Sequence, residues 1–114
     1  MAITEAFTGG QAVGATEWSC TTGTSGPASE TSDGVFQVFL DISDMIAGDE
    51  LQIRMYEKTQ SGLTQRAAWQ ANLVGAQGMP LWVSPSFMLL YGWDFTLKAI
   101  AGTITIYWSV RKIG

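Results

Sequence analysis

Residues 35–58 read VFQVFLDISDMIAGDELQIRMYEK, and their alternation decides the fold. Phe36, Val38, Leu40 and Ile42 fall on one side of an extended chain, and Val35, Gln37, Phe39 and Asp41 on the other. Side chains alternate across a strand with a period of two, so the first set marks a core face. Val35 and Phe39 leave the second face partly apolar. The alternation resumes after a break, with Leu51, Ile53 and Met55 inward and Gln52, Arg54, Tyr56 and Lys58 outward. Between the two runs, residues 43–47 suit one helical turn, with Ser43 as N-cap, Asp44 in the first turn and Gly48-Asp49 as the stop. Such a connection is too long for a tight hairpin. It predicts a crossing from one sheet to another at the end of a sandwich.

The flanking segments repeat this grammar. Residues 2–8 predict a short strand, at an edge or as an arm, and Gly9-Gly10 predicts a turn. Residues 11–20 form a second strand anchored by Val13 and Trp18. Residues 21–34, TTGTSGPASETSDG, hold no large apolar side chain; they predict a surface loop or arm that buries nothing. Residues 64–74 place Ala67, Trp69, Ala71 and Leu73 on one face. Residues 81–83 form a short edge strand closed by Pro85. Residues 87–91 are a short buried strand or an irregular packed segment, and Gly92 marks a bend. Trp93, Phe95, Leu97 and Ala99 then alternate with Asp94, Thr96 and Lys98. Residues 103–113 put Ile104, Ile106, Trp108 and Val110 inward and Thr105, Tyr107, Ser109 and Arg111 outward. The expectation is an all-β protein: an antiparallel β-sandwich or jelly roll of about eight strands, with at most one short helical turn, as a single domain over residues 1–114.

Charged residues make up 14% of the 114 residues, against about 25% in an ordinary globular chain. So few charges leave part of the surface for uncharged polar groups or for a partner. Net charge is −4. Eight acidic residues precede Arg54, and all six basic residues lie between Arg54 and Lys112. An acidic chain without a basic cluster is a poor ligand for a nucleic-acid backbone, so no nucleic acid is expected. The longest apolar run, residues 87–91, is far too short for a membrane-crossing helix, and no membrane partner is expected. The N-terminal residues carry no basic start and no apolar core of a signal peptide. Synthesis and folding in a reducing cytoplasm are expected.

Chemistry has few candidates. There is no His, and Cys20 is the single cysteine. This excludes an intrachain disulfide, a Cys/His zinc site and a Cys–His nucleophile. The carboxylates around the crossover, Asp41, Asp44, Asp49 and Glu50, are the remaining acid–base or calcium candidates. Asp49 and Glu50 are adjacent and point to opposite faces of a strand, and the spacing matches no EF-hand loop. They read as groups that cap and solvate the turn. No catalytic residue, cofactor or metal is expected. Aromatics are more telling: five Trp, five Phe and three Tyr exceed what one small core needs. Trp69, Trp93 and Trp108 fall on inward faces. Tyr56, Tyr107 and Trp82 suit exposed or interface positions. The candidate interface is Val35, Phe39, Arg54, Tyr56, Lys58, Trp82 and Tyr107.

The order of segments carries a resemblance. MAITEAFT at 1–8 is followed by DGVFQVFLDIS at 33–43, GDELQIRMYEK at 48–58, TQRAAWQANLVGAQ at 64–77, LWVSP at 81–85, YGWDFTLK at 91–98 and ITIYWSVRKIG at 104–114. This pattern resembles small virion proteins of tailed bacteriophages, of the capsid decoration or cement type. The resemblance implies a non-enzymatic structural protein on the capsid of a virion, made in the host cytoplasm. It further implies binding to major capsid protein subunits, with self-association as a homotrimer. It assigns no contact residues. The alternative is a tail- or fibre-associated module that recognises host surface glycan.

Overall fold

The computed structural model describes residues 2–114 and is a β-sandwich. Its nine strands are β1 (Ile3–Val13), β2 (Trp18–Ser19), β3 (Gly34–Asp41), β4 (Glu50–Glu57), β5 (Arg66–Val74), β6 (Leu81–Val83), β7 (Phe87–Leu89), β8 (Asp94–Ala101) and β9 (Ile104–Ile113). A front sheet runs β1-β9-β3-β6, with β7 also paired to β3; a back sheet runs β2-β8-β4-β5. All pairings are antiparallel. The short dimension of the molecule is 20 Å, the depth of two sheets packed about 10 Å apart with their outer side chains.

The inward sets close the core. Phe36, Val38 and Leu40 of β3 and Ile104, Ile106, Trp108 and Val110 of β9 meet Leu51, Ile53 and Met55 of β4 and Phe95, Leu97 and Ala99 of β8. Trp93 is fully buried, with Phe36 4.3 Å and Phe95 5.8 Å away between ring centroids. As the crossover length demanded, β3 and β4 lie in different sheets. No helical turn forms between them. Two successive tight turns do the work, with Met45 N–H donating to Ile42 O and Asp49 N–H to Ile46 O, each at 3.1 Å. Ser43 is no cap: its own N–H and hydroxyl donate to Asp41 Oδ1 at 3.0 and 2.7 Å. A helix start is costly for so few residues. Burying Met45 against the end of the core settles the path instead.

Gly9-Gly10 does not turn the chain; β1 runs straight through it. Gly9 pairs with Trp108 and Gly10 with Tyr107 on β9. A Cβ on Gly9 would stand 2.5 Å from Trp108 Cζ2. The two glycines are seats for the aromatic rings of the neighbouring strand, not punctuation. The break comes later, after Val13, and leaves β2 only two residues long.

Residues 21–34 lie across the outer surface of β8 as a strap. Its polar groups bind it: Ala28 N–H and Thr21 Oγ1 donate to the Asp94 carboxylate at 2.8 and 2.9 Å. Glu30 and Trp93 exchange backbone bonds at 2.8 and 3.0 Å. Gln65 Nε2 donates to Ala28 O at 2.6 Å, and Trp93 Nε1 to Ser32 O, also at 2.6 Å. The expectation that this stretch buries nothing fails. Asp94 and Thr96, on the outward side of β8, are 0% and 1% exposed. Hydrogen bonds rather than apolar side chains achieve the cover.

Opposite β1, the front sheet ends in one edge strand broken by Pro85 into β6 and β7. The ladder gap is filled by Ser84, whose Oγ accepts from Val38 N–H at 3.0 Å and whose N–H donates to Val38 O at 3.0 Å. Proline removes a donor, and the neighbouring hydroxyl satisfies the orphaned group.

Candidate functional site

The register of the front sheet gathers one set of side chains on its outer face. Phe39 lies opposite Ser109 on one side and Val83 on the other; Val35 lies between Ile113 and Met88; Asp41 lies between Tyr107 and Leu81. Ile3 extends the row beyond Ile113. Met88 is 87% and Tyr107 61% exposed, and among the described residues nothing covers them. Ile3, Leu81, Val83, Met88 and Tyr107 make it an exposed apolar patch, the kind of surface that marks a candidate interaction site.

Arg111 gives the face its relief. Its guanidinium carbon sits 3.8 Å from the centroid of the Phe39 ring, within cation–π range. Arg111 Nε donates to Ser109 Oγ at 3.2 Å, and Ser109 in turn donates to the Glu5 carboxylate. Beside this stack is a hollow of about 110 Å³ lined by Ile3, Val35, Phe39, Arg111 and Ile113. A second dent of about 170 Å³ lies between Phe39, Leu81 and Tyr107. Each hollow is the size of one protruding apolar side chain from a partner.

The predicted interface residues separate. Val35, Phe39 and Tyr107 share the front face. Arg54 and Tyr56 are outward on the opposite sheet, because the chain changes sheets between β3 and β4 and outward then points the other way. Lys58 follows β4 at one end of the sandwich. Trp82, opposite Leu40, turns inward and meets Trp69 at 6.0 Å where the two sheet edges close. Tyr56 is buried beside Glu17, which precedes the strap. Its hydroxyl donates to Glu17 Oε2 at 2.6 Å and accepts from Arg54 Nη1 at 3.3 Å. Burial first, then the Glu17 carboxylate, lift the phenol above its ordinary range. Sequence reading missed Ile3, Leu81, Val83, Met88 and Ile113. The signal was present in LWV: once Trp82 points inward, Leu81 and Val83 must point out.

The outer face of the back sheet carries a polar ladder, with Val74 and Ile100 exposed at its crossover end. Arg54 Nε donates to Gln70 Oε1 at 2.9 Å, Gln70 Nε2 to Asn72 Oδ1 at 2.7 Å and Asn72 Nδ2 to Glu50 Oε2 at 3.3 Å. The crossover carboxylates are each committed to a local donor. Asp44 Oδ2 accepts from Thr105 N–H at 2.7 Å and Asp49 Oδ2 from Ile46 N–H at 3.0 Å. The backbone and side chain of Ser43 hold Asp41 below the usual carboxylate value. Cys20 is buried, and burial together with the Asp94 charge pushes its thiol well up, away from a reactive thiolate. Among the described residues there is no group of three or more His, Cys, Asp or Glu that could hold a metal ion. Comparison with protein-family models, with characterised proteins and with solved structures finds no match.

Proposed function

We propose that this chain is a non-enzymatic structural protein that docks on a larger protein assembly through the outer face of its front sheet. In the specific form suggested by the segment pattern, it is a capsid cement protein of a tailed bacteriophage and seats on major capsid subunits. The observation that carries the reading is the row of Val35, Phe39, Leu81, Met88 and Tyr107, the last three exposed, with two hollows beside the Arg111–Phe39 stack. Aromatic and Met side chains with a central Arg are the composition of a protein–protein interface core. A rigid sheet presents them without an ordering cost on binding. Docking would cover the apolar surface that the low charge content leaves over.

Quantitative mass spectrometry of virions purified from lysates in which the chain is made tests the specific form. The expected result is a copy number comparable with that of the major capsid protein. Absence from the particle, or one or two copies, rejects it. The general form is tested by Phe39→Asp in the same particles: the variant is expected to be made and folded but missing from the shell.

A further inference from the structure

At the end of the sandwich away from the β3–β4 crossover lies a cleft of about 290 Å³. Three separate segments converge on it: Ser29 and Thr31 from the strap, Lys58 and Ser61 from the turn after β4, and Tyr91 and Gly92 from the turn before β8. Its walls are held from behind. Glu57 accepts from Leu90 N–H and Tyr91 N–H at 2.7 and 3.1 Å. Gln65 Nε2 ties Ala28 O and Gly92 O together at 2.6 and 2.7 Å. Gly92 sits at φ +46°, and a Cβ there would lie 2.5 Å from Ser29 Oγ and 2.8 Å from Lys58 Cε. Only glycine lets the hydroxyl and the lysine stem close the floor of the cleft from both sides.

We propose that this cleft binds one pyranose unit of a neutral saccharide, independently of the front sheet. The volume suits a single sugar ring or little more. Three hydroxyls that both donate and accept, with the donor-only Lys58 ammonium, match a row of sugar hydroxyls. The half-exposed Tyr91 ring at the rim offers a flat apolar surface with a polar tip. Charge favours a neutral ligand over an acidic one. Glu57 and Glu30 stand just behind the lining, the latter accepting from Thr31 N–H and Ser32 N–H at 3.1 Å each. An anion would therefore meet two carboxylates against one ammonium.

Saturation-transfer difference NMR on the full chain, with a panel of neutral hexoses and their disaccharides, uronic acids and inorganic sulfate, decides the matter. A neutral sugar is expected to bind saturably with a dissociation constant of about 1 mM, the range open to a few exposed hydrogen bonds. Lys58→Met and Tyr91→Ala are each expected to weaken it about tenfold, with unchanged far-ultraviolet circular dichroism. Gln52→Ala, on the back sheet, is expected to bind as the parent does. The proposal is overturned if no neutral sugar binds, if uronic acid or sulfate binds more tightly, or if neither cleft variant weakens binding.

Discussion

The two outer faces of the sandwich treat water in opposite ways. On the back sheet, side chains are tied to one another in the Arg54–Gln70–Asn72–Glu50 ladder, the strap covers Asp94, and Glu17 binds Thr96 and Tyr56. On the front sheet, Tyr107, Met88 and Leu81 stand open beside half-buried Val35 and Phe39, with one cation laid over the Phe39 ring. Both sheets contribute their inner faces to one core, so the difference lies on the outside. The back sheet ties its outer polar residues to one another; the front sheet leaves an apolar row without such ties. Substitutions on the two faces should therefore fail in different assays.

The largest loss is expected from undoing the roof. Asp94→Ala leaves Ala28 N–H without its partner and Thr21 Oγ1 with only Ser19 Oγ, both in part-buried positions, and an orphaned donor of this kind costs about 1–3 kcal/mol. A drop of about 3 kcal/mol in urea denaturation is expected, with docking by the front face intact in the fraction that stays folded. The pH dependence has an unusual sign. Burial raises the Asp94 carboxyl above its ordinary value despite the bonds from Ala28 and Thr21. The folded state then takes up a proton before the unfolded state does, so this group adds stability as pH falls from its raised value toward about 3.9. Asp41 runs the other way, because Ser43 lowers it: its contribution is present above the unfolded value and lost as pH falls through the folded one. Urea titrations of the parent minus Asp94→Asn across this range should isolate a contribution that rises toward acid; a flat difference would mean that Asp94 is not desolvated.

A middle-sized effect separates the inside of the front sheet from its outside within two consecutive residues. In Gly9→Ala the new methyl meets Trp108, buried on the core side. Overpacking of this kind costs about 1–3 kcal/mol. In Gly10→Ala it meets Tyr107, whose ring is exposed and free to swing toward solvent. A cost under about 1 kcal/mol is expected there. Equal thermal shifts for the two variants would contradict the assignment of closed and open sides.

The contrast between faces was only partly legible in the sequence. Period-two alternation placed Phe36, Val38, Leu40, Leu51, Ile53, Ile106 and Val110 in the core, because side-chain direction along a strand is local information. The crossover length placed β3 and β4 in different sheets for the same reason. Gly9-Gly10 misled, since a glycine pair signals a turn only when no neighbouring strand needs its empty faces; Trp108 and Tyr107 arrive from about 100 residues away along the chain. Tyr56 misled because the carboxylate that meets its hydroxyl, Glu17, comes from 39 residues away along the chain. The interface set joined Phe39 to Arg54 because both are outward, and outward has no common direction until the sheets are stacked.

The smallest expected effect bears most directly on docking. Arg111 covers one side of the Phe39 ring at 3.8 Å. An exposed cation–π contact is worth about 0.5–1 kcal/mol, so Arg111→Ala should lower the melting temperature only slightly. It should also uncover the ring and merge it with the neighbouring hollow, enlarging the apolar patch. Binding of an anilinonaphthalene sulfonate dye is therefore expected to rise. On the back sheet Arg54→Ala breaks the bonds to Gln70 and Tyr56 and should cost similar stability without raising dye binding, because no apolar side chain lies beneath it in that ladder. If both arginine variants gained dye equally, the two faces would not differ in the way their side chains imply. If only Arg111→Ala gains it, the guanidinium serves as a polar cover over the Phe39 ring.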